Sequence, residues 1–134
     1  MSQPDPAPST RRIRMLFLIL GGLLLVWLPL EDLSENWALL FALALCALIA
    51  IRVLSTATQA ARGRWYTYPL AGILAGLAAT PAALFLMAFK SGVHGHGRPD
   101  FTPDQVTAVL LRAPVWVISG LLLGSGIGIY RKMK

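Results

Sequence analysis

Apolar residues gather into four long runs along this chain, and polar residues gather between them. The runs cover 13–30, 37–54, 68–89 and 113–130. Arg14 interrupts the first near its start and Arg52 the second near its end, while the third and fourth carry no charge. A helix rises ~1.5 Å per residue, so runs of this length extend ~27 to ~33 Å. That matches a hydrocarbon core ~30 Å thick. The spacers EDLSEN (31–36), STATQAARGR (55–64) and KSGVHGHGRPD (90–100) hold the polar and turn-forming residues. An unpaired backbone amide costs several kcal/mol in lipid, so the chain leaves the membrane at these spacers. The pattern predicts an all-α fold, a four-helix transmembrane bundle over 13–134. The segment 1–12 carries three prolines and no apolar period, and reads as a disordered cytoplasmic tail.

Composition excludes the soluble alternatives. Of 134 residues, 56% are hydrophobic and 13% charged. A soluble domain carries about 25% charged residues, so this chain cannot clothe a small globule in polar surface. Arg11, Arg12 and Arg14 resemble the basic start of a signal peptide, but no small-x-small site follows the first run, which is therefore expected to be retained.

The net charge of +6 raises the question of nucleic acid. The basic residues flank apolar runs instead, as membrane anchors do. With four crossings, nine of them lie on one side: Arg11, Arg12, Arg14, Arg52, Arg62, Arg64, Arg131, Lys132 and Lys134. Lys90, Arg98 and Arg112 lie on the other. This bias predicts that both termini are cytoplasmic, in a bacterial inner membrane or another energy-converting membrane. Trp27, Trp37 and Trp116 fall near the outer ends of the runs and Trp65, Tyr66, Tyr68 and Tyr130 near the inner ends, where amphipathic rings favour the headgroup layer.

Small residues at spacing four let helices approach closely in lipid. The fourth run carries Gly120, Gly124 and Gly128, and the third Gly72 and Gly76 beside Ala71, Ala75, Ala79 and Ala83. The second carries Ala38, Ala42, Cys46 and Ala50. These faces serve either packing within the chain or docking onto another subunit. On the docking reading, Gly124→Leu releases a partner without unfolding the chain. Pro81 is expected to kink the third helix, with Thr80 re-bonding a freed carbonyl. A single cysteine, Cys46, rules out an internal disulfide and reads as a small packing residue.

No Asp, Glu, Lys or His falls inside the four runs. Proton pathways, transporters and intramembrane enzymes place such groups at depth, so no catalytic residue and no resident cofactor is expected. Candidate chemistry is confined to the outer segment KSGVHGHGRPDFTPDQ (90–105). His94 and His96 would face the same way in an extended strand. With Asp100 they would form a site for a divalent metal such as zinc. The bland alternative is an ordered glycine-rich loop in which His94, His96, Arg98, Asp100 and Phe101 make an outward contact. Thr102, Pro103 and Gln105 spell a helix start with a capping box. The predicted helix places Val106, Val109, Leu110 and Ala113 on one stripe, lying at the outer interface before the last span. The alternative is one tilted helix over 106–130.

The function these features predict is that of a small polytopic membrane protein: a non-catalytic accessory, assembly or stabilising subunit. Its partners would be the lipid bilayer and other membrane subunits, and not nucleic acid. A small homo-oligomeric channel or transporter using Thr80, Ser119 and Ser125 is the first alternative. A metal-binding protein using the HGHG segment is the second.

Overall fold

A computed structural model describes residues 8–30, 34–57, 64–95 and 100–133. All regular structure among these residues is helical. The elements are α1 (Pro8–Trp27), α2 (Glu35–Thr56), α3 (Thr67–His94), α4 (Pro103–Leu111) and α5 (Ala113–Lys132). Three segments are long and apolar enough to cross a membrane: Glu35–Thr56, Thr67–Val93, and Pro103–Lys132 taken as one. The first run is weaker than its apolar content suggests. Its helix is 20 residues long, but Arg11, Arg12 and Arg14 occupy the opening turns. The uncharged helical part, Met15–Trp27, is 13 residues, or only ~20 Å.

The extensive contacts run in chain order, α1 on α2, α2 on α3, and α3 on α5, with the last the largest. Among the described residues α1, α2, α3 and α5 therefore lie in a row, not in a closed ring. Neighbours in that row run antiparallel. Tyr68 at the start of α3 meets Arg131 at the end of α5, where the Tyr68 hydroxyl accepts from the Arg131 guanidinium at 2.7 Å. At the opposite end Arg112, just before α5, reaches Glu35 at the start of α2.

The buried core sits at that second end. Trp27, Leu28, Ala38, Leu39, Phe41, Ala42, Ala83, Leu86, Met87, Phe101 and Val109 form one cluster. Its α3 members follow the period of one helical face, and Ala38 and Ala42 let α2 approach it. The short helix α4 starts as its sequence requires. Thr102 Oγ1 accepts the Gln105 backbone N–H at 3.3 Å, and Gln105 Oε1 accepts the Thr102 N–H at 2.9 Å. The expected single stripe is divided. Val109 is fully buried and joins the core, while Leu110 and Leu111 point outward. Helix α4 is a cap on α2 and α3. Arg112 alone separates it from α5, and Arg112 itself keeps a right-handed helical backbone. Pro114 lacks an N–H, which is reason enough for the ladder to break there.

Helix α3 continues through Pro81 and past residue 89, as far as His94. The expected role of Thr80 is not met: its hydroxyl is buried and has no hydrogen-bond partner.

Candidate functional site

The extension of α3 carries Lys90 into the core. Lys90 has no exposed surface at all. Its Nζ stands 4.0 Å from the centre of the Trp27 ring and donates to the Trp27 carbonyl at 3.4 Å. That carbonyl closes α1, where helix carbonyls lack internal partners and the helix dipole favours a cation. The Leu30 N–H shares the same carbonyl at 3.2 Å. Trp27 also packs on Phe41, with ring centres 5.3 Å apart. A buried lysine, an indole face and a helix end thus form one contact between α1 and α3.

By sequence Lys90 opens the polar segment 90–100 and is expected in the outer loop. The signal that would have found it is periodicity. Ala79, Ala83, Leu86 and Met87 make the buried face of α3, and Lys90 continues that face by one further turn.

A second polar group lies nearby. Arg112 reaches Glu35 at 3.7 Å and donates to Asn36 Oδ1 at 2.9 Å. Gln105 Nε2 donates to Glu35 Oε2 at 3.2 Å. Glu35 stands in the first turn of α2, where a negative charge suits the helix dipole. These contacts tie the α4–α5 joint to α2. The Arg112 side chain is 41% exposed, so its pairing is screened. Arg112→Ala is expected to cost no more than ~1 kcal/mol, and the loss should shrink in high salt, as thermal unfolding in detergent would show.

The proposed outer contact is distributed differently from its expected form. Phe101 is buried in the core at 6% exposure. Asp100 is half-buried, and its backbone N–H donates to Ser91 Oγ at 3.2 Å. His94 is the last residue of α3, and Gly95 follows with φ of 62°, in the left-handed region. The backbone leaving His94 is therefore not the extended strand that would align the two imidazoles. The His94 side chain, His96 and Arg98 lie outside the described residues. No group of three His, Cys, Asp or Glu side chains suited to a metal occurs among the described residues.

The glycines of α3 and α5 meet one another. A Cβ on Gly72 would collide with the Gly120 carbonyl, and one on Gly120 with the Gly72 carbonyl. A Cβ on Gly76 would strike the Trp116 carbonyl, and one on Gly124 the Tyr68 carbonyl. Gly128 is looser, with the Tyr68 side chain at 3.5 Å. The seam is internal to the chain, so Gly124→Leu would wedge α3 from α5 and not merely release a partner.

Apolar grooves open among the described residues. One, of about 480 Å³, lies between α1 and α2 beside Trp27, Trp37 and Phe41. Another, about 220 Å³, opens where α2 draws away from the first half of α3. Cys46, Ala50, Ala71, Ala75 and Ala78 are among its lining residues. Ala38, Ala42, Ala79 and Ala83, further along the same faces, are fully buried. The small-residue faces thus close at one end and part at the other. No family model, no curated protein and no solved structure matches this chain.

Proposed function

We propose that this chain is a non-catalytic accessory, assembly or stabilising subunit of a larger membrane complex. It crosses the membrane four times with both termini in the cytoplasm. The charge bias of nine basic residues against three supports that orientation. The 20-residue helix α1 completes the count when Arg11, Arg12 and Arg14 reach back to the interface.

The observation that carries the partner reading is the groove between α2 and α3. Four of its eight lining residues are alanines, Ala50, Ala71, Ala75 and Ala78, beside Cys46, Ile49, Val53 and Leu74. Backbones lined this way admit a further helix at close range, and close packing drives helix association in lipid. The occupant is a transmembrane helix of another subunit. A tagged chain drawn from membranes in mild detergent should bring membrane subunits with it. Ala75→Leu fills the groove and should reduce their recovery at least about tenfold, with the variant still monodisperse. Equal recovery from both, or a wild-type chain that emerges alone, contradicts the proposal.

A further inference from the structure

We propose that Lys90 is the latch that seats α1 across the membrane. The inference rests on the four-crossing reading above and adds a cause to it. Helix α1 is the weakest span: 13 uncharged helical residues follow its arginines, ~20 Å against a core of ~30 Å. Its extensive contact is with α2 alone, and the large groove beside Trp27 leaves that contact incomplete. Exposed leucines such as Leu18 and Leu25 face outward and add nothing to the packing. The far end of α1 is different. Trp27 is 4% exposed and Leu28 6%, and the side chain holding that end comes from α3, 63 residues on.

The contact does two jobs at once. The ammonium lies on the indole face, an attraction that strengthens when water is excluded. It also donates to a terminal carbonyl of α1, beside the Leu30 N–H that shares the same oxygen. Without the charge, the carbonyl and the ring lose the group that fixes them. The chain from residue 30 to Glu35 reaches at most ~18 Å, too little to cross a core of ~30 Å, so an α1 that leaves the membrane while α2 stays in place lies flat on the outer interface and carries the N-terminus outside.

The test is a sidedness measurement on the full chain in cells, with Cys46 replaced by alanine. Thr10→Cys reports the arginine end of α1. Thr107→Cys, exposed on α4, reports the end that carries Lys90. A membrane-impermeant maleimide added outside should reach position 107 and not position 10. Lys90→Met keeps the length of the side chain and removes its charge. It should raise outside labelling at position 10 at least about threefold and leave position 107 unchanged. Trp27→Leu should do the same, and Trp27→Phe, which keeps an aromatic face, should expose position 10 less than Trp27→Leu. Unchanged labelling at position 10 in Lys90→Met overturns the latch. A change at position 107 also overturns it, because Lys90 would then hold the whole end and not α1. Outside labelling of position 10 in the parent chain, at the level of position 107, overturns the crossing of α1 itself, and the latch with it.

Discussion

Replacing Gly120 by leucine is expected to pry α5 from α3. The missing Cβ of Gly120 would stand inside contact distance of the Gly72 carbonyl. A backbone cannot turn aside as a side chain can, so the helices must separate. Overfilling a packed site costs ~1–3 kcal/mol even where side chains yield. Helix propensity offsets less than ~1 kcal/mol of that. Because α5 makes its extensive contact with α3 alone, the loss should show as a broadened or aggregated species on size exclusion in detergent. Two companions sharpen the result. Gly126 has open space where its Cβ would be, so Gly126→Leu should elute as the parent does. Gly128 has only ordinary contact with Tyr68, so Gly128→Ala should be near neutral. Equal behaviour of the Gly120 and Gly126 variants would mean that the seam is not where these contacts place it.

Trp27→Ala is expected to be the most damaging single truncation at the other end. Trp27 is buried against Phe41 and covers Lys90. Removing a buried Trp side chain costs ~3–5 kcal/mol through lost contacts and the cavity left behind. Here the cavity also strips the indole face from a lysine that has no exposed surface. Thermal unfolding in detergent should show a drop in midpoint far beyond that of Arg112→Ala. A midpoint within experimental scatter of the parent would remove this core from the account.

The two ends differ in how far the sequence foretold them. Four apolar runs lead directly to helices, because no other backbone satisfies its amides in lipid except a closed barrel. Gly72, Gly76, Gly120 and Gly124 stand out by spacing, but spacing alone does not say what they face. In antiparallel neighbours they face one another. Thr102 and Gln105 announce the start of α4 through a local exchange of hydrogen bonds, and local rules suffice for it. The burial of Lys90 is not legible in the sequence for the opposite reason. Its partner lies 63 residues away, and a lysine beside a glycine-rich segment reads as a loop residue until the helix is seen to continue. The burial of Phe101 is hidden in the same way, since α4 folds back as a cap and carries its approach into the core.

The central claim is that the chain crosses the membrane four times and not three. A small epitope or reactive cysteine at each terminus, probed in sealed inside-out and right-side-out vesicles, tests it in one experiment. Four crossings predict that both termini react on the cytoplasmic face alone. Termini on opposite faces would mean three crossings, with α1 left outside the lipid core, and would contradict the topology set out here.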